Sequence, residues 1–343
     1  MKISKLLSFL IVGAFLLIAG SQTSSAQFFK GKTITLIVGA SNHGTYAAYS
    51  RVLAQHMPKH IAGNPKIIIK SKGGSGGRIA ANYMHNAAPK DGSMFSIVLQ
   101  TVPVNQFLSA KKARFDVRKW HWIGNMSPLI NFLGLWHKSP VQSLEEAKRT
   151  SVKIAATGKS SPTYIYPKLI NNMFGTKFDI ITGYKGVGGL NQAMEQGEVM
   201  GRGASWLSVI IKAPQYITKN LIKPIIADGF ERDPSLPNVP TFIELAKNEE
   251  QKKIFELIAI SSTFGRSFFY PAGVPADRIK IMRDAFDATM KDSAFIAQMK
   301  KQKLPLNPMG HVELAALLKK VENADPTTLA AARKAMGVKS KKK

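Results

Sequence analysis

Apolar and polar positions along this chain switch between a strand-like and a helix-like spacing, and the switches mark out its elements. Thr33 to Val38 (Thr-Ile-Thr-Leu-Ile-Val) is β-branched and apolar, which predicts a buried strand. Gly39 to Thr45 is small and polar, and Tyr46, Tyr49, Leu53 and Met57 then fall on one helical face, with Pro58 near its end. Lys66 to Lys70 predicts a second strand around Ile67-Ile68-Ile69. The run Gly73-Gly74-Ser75-Gly76-Gly77 opens a second helix with Ile79, Ala80, Tyr83 and Met84 facing inward. Ala88 to Gly92 is a turn by composition, and Met94 to Leu99 a third strand. Strand, loop and helix in repetition imply α/β architecture, a parallel sheet covered by helices.

The pattern restarts in mid-chain. Leu144 to Lys148 reads as helix, Val152 to Ala156 as strand, Thr157 to Ser161 as a polar loop, and Tyr164 to Phe174 as a helix stopped by Gly175. Phe178 to Thr182 is a strand, Gly183 to Gly189 a Gly-rich loop, Leu190 to Gln196 a helix, and Pro224 to Ala227 another short strand. The Pro-rich segment Asp233 to Pro240 is a rigid connector. Beyond it Phe242 to Phe255 reads as helix and Ile258 to Thr263 as strand. Pro275 opens a helix with Ile279, Met282, Phe286 and Thr289 on one face, and Asp292 or Ser293 caps the next, which carries Phe295 and Met299.

The start of the chain bears on location. Lys2 and Lys5 precede the apolar run Leu6 to Ala19, and Ser24-Ser25-Ala26 offers a cut site, the order of a secretory signal peptide. The run falls short of the ~20 residues a spanning helix needs. Cleavage after Ala26 leaves 317 of the 343 residues, which suits two lobes better than one core. With no Cys there is no thiolate chemistry, thiolate metal ligand or disulfide. Lys and Arg total 48 against 21 Asp and Glu, a net charge of +27 that falls to +25 without the two leader lysines. Such a field gathers anions. Nucleic acid is not the expected partner of an exported chain without a nucleic-acid motif, whereas small anionic solutes or an anionic membrane surface fit. Lys339 to Lys343 reads as a solvated, disordered tail.

Ligands of α/β sheets sit beyond the carboxyl ends of the strands, where helix N-termini favour anions. Ala40 to Tyr46, Gly73 to Gly77, Thr157 to Ser161 and Lys185 to Gly189 hold such places, and small residues let a carboxylate approach their backbone. Each loop could equally be a tight turn, Tyr46 and Trp206 could be core, Lys185 could be solvated, and His43 could either donate to an anion or stand idle. Gly73 to Gly77 lacks the dinucleotide spacing and the P-loop ending. No Ser-His-Asp order, metal-ligand cluster or paired carboxylate stands in these loops. No cofactor is called for.

At these loops the chain resembles the substrate-binding receptors of tripartite tricarboxylate transporters. Ile34 to Arg51 resembles the family's first strand, ligand loop and first helix, ending in Ser50-Arg51. Lys72 to Gly77 is similar to its Pro-Gly-Ala-Gly-Gly loop, Ala87 to Ser93 to its Ala-Pro-Asp-Gly turn, and Gly183-Tyr184-Lys185-Gly186 to its Gly-Tyr-Lys-Gly loop. Leu236 to Thr241 is similar to its Leu-Pro-Asp-Val-Pro-Thr region, and Phe269 to Pro275 to its Pro-Ala-Gly-x-Pro start of a late helix. The resemblance implies a two-lobed type II periplasmic-binding-protein fold, each lobe a mainly parallel sheet flanked by helices, with the cleft between them. The expected division is 1–26 leader, 27–126 and 235–330 first lobe, 127–234 second lobe, and 331–343 basic disordered tail. It further implies a periplasmic, non-catalytic, monomeric receptor that takes an organic acid, aromatic or dicarboxylate among them, and passes it to a membrane permease. An enzyme acting on an anionic substrate, or a ligand-sensing partner of a signalling protein, are the other readings. Ala47 and Met200 stand where the family carries Asp, which would make the cleft more positive and less polar. The expected ligand contacts are Asn42, His43, Gly44, Thr45, Tyr46, Ser75, Gly76, Gln100 and Thr101 from the first lobe. Thr157, Ser160, Ser161, Lys185, Gly186 and Trp206 are expected from the second.

Overall fold

The computed structural model describes residues 28–108 and 113–337. The expected leader and the terminal lysines therefore lie outside the described residues. One sheet holds β1 (Thr33–Val38), β2 (Lys66–Ser71), β3 (Met94–Ile97), β4 (His121–Asn125), β10 (Ser267–Tyr270) and β11 (Met309–Gly310), in the order β11-β4-β10-β3-β1-β2. The other holds β5 (Asn131–Trp136), β6 (Val152–Ala156), β7 (Phe178–Thr182), β8 (Gly201–Ser205) and β9 (Ile222–Ala227), in the order β7-β6-β8-β5-β9. The chain thus builds four strands of one lobe, all five of the other, and then returns to the first.

Both sheets are mixed, and the crossings explain why. β1 runs parallel to β2 and β3, with Ile34 opposite Ile67 and Leu36 opposite Phe95. β6 runs parallel to β7 and β8. Besides the two-residue β11, antiparallel to β4, the reversed strands are β10, antiparallel to β3 and β4, and β5, antiparallel to β8 and β9. β10 and β5 are each the first strand laid down after a crossing. A chain that leaves one sheet at its carboxyl edge and crosses to a facing lobe enters at that same edge, so the entering strand points the other way. The carboxyl edges of the remaining long strands consequently face each other across one gap.

Two expectations for the last third are corrected. The segments read as helix 242–255 and strand 258–263 are instead one helix, Glu249–Thr263, capped by the Asn248 side chain, which accepts from Gln251 N at 2.9 Å. Ile254, Phe255, Leu257, Ile258, Ala259 and Ile260 are all buried. The run Leu257 to Ser262, its second half, is enclosed on every side and shows no polar face, so it carries no helical period. Phe255 stacks near Phe174 of the second lobe, while Phe264, just past the helix, lies against Trp122 of the first. The tail expected from residue 331 begins inside the helix Pro326–Ala335, capped by Asp325, whose Ala332 and Ala335 are buried. This helix spans the lobes. Arg333 Nη2 donates to Phe107 O at 2.6 Å, and Asn172 Nδ2 donates to Ala335 O at 2.7 Å. Ile79, expected to face inward, is 46% exposed.

Among the described residues no helix is long and apolar enough to cross a membrane. The first lobe's packing turns on Gly124 of β4, where an added Cβ would lie 2.2 Å from Cε1 of the buried Phe286 ring. Gly124→Ala is expected to cost about 2 kcal/mol by overpacking, read as a lower urea midpoint at unchanged slope. A variant as stable as wild type would show that the ring can move aside.

Candidate functional site

A cavity of about 670 Å³ lies between the two carboxyl edges. From the first lobe it is walled by the loop after β1 (Gly39, Ala40, Ser41, Gly44), the start of helix Thr45–His56, the glycine loop 73–77, and Leu99 and Gln100 after β3. From the second lobe come Thr157 to Thr163 after β6, Tyr184 to Val187 after β7, and Ala204, Ser205 and Ser208 at the end of β8. Apart from Leu129 and Asn131 on the crossing into β5, the walls are strand-to-helix junctions, where most side chains are short and backbone donors are free.

Of the helices that open on the cavity, Pro162–Phe174 is capped by Ser161, whose side chain accepts from Thr163 N. The helices starting at Thr45, Arg78 and Gly186 have no side-chain cap and no acid in their first turn. Away from the cavity, Ser143, Asn248, Asp292 and Asp325 each cap a helix through an N–H-accepting side chain. An uncapped N-terminus leaves N–H groups and a partial positive charge facing the cavity. Arg78, Lys159 and Lys185 also line it, and no Asp or Glu does. Leu99, Leu129, Val187 and the rings of Tyr46 and Tyr184 add apolar surface. Among the described residues no group of three His, Cys, Asp or Glu side chains is placed to hold a metal ion.

A buried polar network forms the floor. Tyr46 donates its hydroxyl to Gln100 Oε1 and accepts from Gln100 N at 3.0 Å. Gln100 Nε2 donates to Asn131 Oδ1 at 3.3 Å. Asn131 donates twice to Asp228, from its backbone N at 2.5 Å and from Nδ2 at 2.8 Å, and the Ser262 hydroxyl donates to the same carboxylate. Asn131 opens β5 and Asp228 follows β9, so the network ties both crossings to the first lobe's ligand loop. Burial pushes the Asp228 carboxyl up to about 6, against the opposing donors Ser262, Tyr166 and Asn131.

Gly76 and Ser160 bring the lobes into contact. A Cβ on Gly76 would lie 2.4 Å from Ser160 O, and the φ of Gly76 is +63°. Both the close approach and the left-handed backbone require glycine here.

Eleven of the residues expected to contact ligand line this cavity, namely Gly44, Thr45, Tyr46, Ser75, Gly76, Gln100, Thr157, Ser160, Ser161, Lys185 and Gly186. Four do not. Asn42 and His43 are exposed on the outer turn of their loop, where the Asn42 carbonyl accepts from Arg51 and His43 N donates to Ser41 Oγ. Thr101 is buried at the start of its helix, and Trp206 is core, edge-on to Phe132 with Nε1 donating to Ser235 Oγ at 2.9 Å. Sequence reasoning missed Arg78, Lys159, Asn131, Tyr184, Thr163, Ser205 and Ser208. Arg78 and Lys159 directly adjoin or interrupt loops already singled out, and the strand-end rule applied to β8 would have found Ser205.

The family described as "Tripartite tricarboxylate transporter family receptor" matches residues 49–323. The chain belongs to this receptor family. A Cupriavidus necator relative described as a UPF0065 protein in the gbd 5′ region is 26% identical, with 88% of each chain covered. The fold is that of solved periplasmic binding proteins. The periplasmic binding protein BugD superposes with a TM-score of 0.70 at 18% identity, covering 91% of this chain and all of that one. A Rhodopseudomonas palustris protein, MatC, solved with bound malate gives 0.66 at 19% identity over 90% of this chain and 100% of its own. The R. palustris protein Rpa4515, solved with adipate, gives 0.68 at 18% identity over 90% of this chain and 98% of its own.

Within this family frame, the two acid replacements do not act at the cavity wall. Ala47 is fully buried in the first helical turn, and Met200 precedes β8, at the end opposite Ser205. Five strand residues separate that end from the cavity, roughly 16 Å along the strand. The cleft's positive character comes instead from the lining cations and open helix ends.

The Asp228 carboxyl gives the folded receptor a pH signature. Its folded pKa lies above the unfolded value, so the folded state binds its proton more tightly. Its contribution to stability is full below about pH 4 and is lost as pH rises towards about 6. Thermal melts of wild type and Asp228→Asn across this window should show wild type losing ground to the variant as pH rises. Parallel pH profiles would mean that the carboxyl titrates normally.

Proposed function

We propose that the protein is a periplasmic receptor that captures an organic acid between its lobes and delivers it to a membrane permease of the tripartite tricarboxylate type. The observation that carries this reading is the cavity itself, with open helix N-termini from both lobes, three lining cations and no lining carboxylate. A carboxylate would take its hydrogen bonds from loop N–H groups and the hydroxyls of Thr45, Ser75 and Ser160. Leu99, Leu129 and Val187 would hold the hydrocarbon part. Family membership and the malate and adipate found in two proteins of the same fold support an acid as the ligand. The leader-like order of residues 1–26 supports export, and the family's description supports the permease as partner.

Binding works by closure. A ligand that bridges both walls binds the closed arrangement better and shifts the population towards it. The closed arrangement needs the Gly76–Ser160 approach, so a side chain at residue 76 would wedge the jaws apart.

A thermal-shift screen of mono-, di- and tricarboxylates, aromatic acids and amino acids tests the reading. An acid at 100 times its Kd should stabilise the fold by ~2.7 kcal/mol. A screen in which amino acids or no acids stabilise the chain would reject it. With the best acid in hand, Lys185→Ala and Gly76→Ala should each weaken binding roughly tenfold by calorimetry, through a lost cation and a lost closure contact respectively. His43→Ala should leave affinity unchanged, since His43 does not line the cavity. A large loss at His43 with none at Lys185 would place the ligand elsewhere.

A further inference from the structure

Two arginines are completely buried, and neither has a carboxylate. Arg202 lies within β8 and Arg266 immediately before β10, both at 0% exposure. Neither takes part in an ion pair among the described residues. The buried carboxylate Asp228 spends its contacts on Asn131, Ser262 and Tyr166 instead. Burial draws Arg202 down only to about 10, so it stays charged at neutral pH.

Aromatic faces give partial compensation. The Arg266 guanidinium lies 4.1 Å from the Tyr46 ring centroid and 5.1 Å from that of Tyr49, and the Arg202 guanidinium 5.8 Å from that of Phe132. Each guanidinium still keeps two buried nitrogens without a partner, Nε and Nη1 of Arg266 and Nε and Nη2 of Arg202. A buried cation without a counter-charge is costly, and folds keep one where something else gains from its field.

Each cation donates to one hydroxyl of the cavity wall, and the two hydroxyls belong to opposite lobes. Arg266 Nη2 donates to Thr45 Oγ1 at 2.8 Å, and Arg202 Nη1 donates to Ser208 Oγ at 3.4 Å. Thr45 and Ser208 both line the cavity. A hydroxyl whose oxygen accepts from a guanidinium directs its own proton elsewhere, and it gives that proton more strongly. Ser208 gives its own proton to Ser205 O at 2.6 Å, so Arg202 bears on the cavity through its field rather than through a donated proton.

We propose that Arg266 and Arg202 are specificity-determining residues that act from behind the cavity wall, Arg266 through the Thr45 hydroxyl and Arg202 through its field, to favour an acid with a negative charge at each end over one with a single charge. The inference rests on the reading of the protein as a carboxylate receptor. The two cations would stabilise the bound dianion without touching it, one from each jaw.

Calorimetry on the purified chain would compare adipate with hexanoate and terephthalate with benzoate, pairs matched in carbon skeleton or ring and differing in charge. Wild type should prefer at least one dianion by roughly tenfold. Arg266→Gln and Arg202→Gln should each reduce that preference, and Arg→Lys at either site should restore part of it. A merely structural role would weaken both members of a pair alike and would gain nothing from lysine. Should the glutamine variants fail to fold, Thr45→Val keeps both cations and removes the relay from Arg266, and the preference should again fall. Wild type that binds an acid with no preference for the dianion, or folded variants that keep the preference, would overturn the inference and leave the receptor reading intact. Wild type that binds none of the four acids, nor any acid in the thermal-shift screen, would overturn both.

Discussion

Asn131 joins the two lobes at the point where they must both hold together and move. Its backbone and side chain donate to Asp228, while its side-chain oxygen accepts from Gln100, which is locked to Tyr46. A first-lobe ligand loop, the strand entering the second lobe and the strand about to leave it are thereby held in one buried cluster. Buried polar groups are costly unless fully paired, and a fully paired set fixes one arrangement. In the proposed closure the jaws would part at Gly76 and Ser160 while their common floor stays put. The helix Glu249–Thr263 serves the same end, since Ser261 bonds Gln100 O and Ser262 bonds Asp228 from a single turn.

Much of the fold was legible because each early strand and helix shows one face to the core. β1, β6 and β7 fall where their apolar runs place them, and Gly175 stops its helix in the left-handed conformation. Legibility fails where burial is complete. The second half of the helix Glu249–Thr263 shows no period because neighbours enclose it, and β5 (Asn-Phe-Leu-Gly-Leu-Trp), buried at every residue, has no alternation to read. The tail was misjudged for the opposite reason, since lysines near the end of the chain masked the alanines that dock Pro326–Ala335.

The candidate site was legible to the extent that it is made of loops. Gly, Ser and Thr at strand ends announce backbone donors, and eight of the eleven expected contacts that line the cavity are of these types. His43 and Trp206 were chosen for chemical capability, and side-chain direction decides against both. One points to solvent on the outer turn, and the other is spent on Phe132 and Ser235. Arg202 and Arg266 were invisible for a different reason. An arginine in a basic chain reads as surface, and nothing local marks the two that fold inward.

Placing cations behind hydroxyls has a consequence for a receptor that must both seize and release. With the cleft open, solvent screens the buried charges and their pull on an anion is weak. As the jaws close on a ligand, water leaves the gap, the effective dielectric falls, and the same charges attract more strongly. Electrostatic attraction then grows along the closing motion and rewards the closed state beyond what contact alone supplies. A direct bidentate arginine would grip the acid in the open jaw as well, and so would couple binding to closure less tightly. Cations set behind the wall keep the strong field and leave the ligand's immediate contacts individually weak, so opening the jaws is enough to let it go.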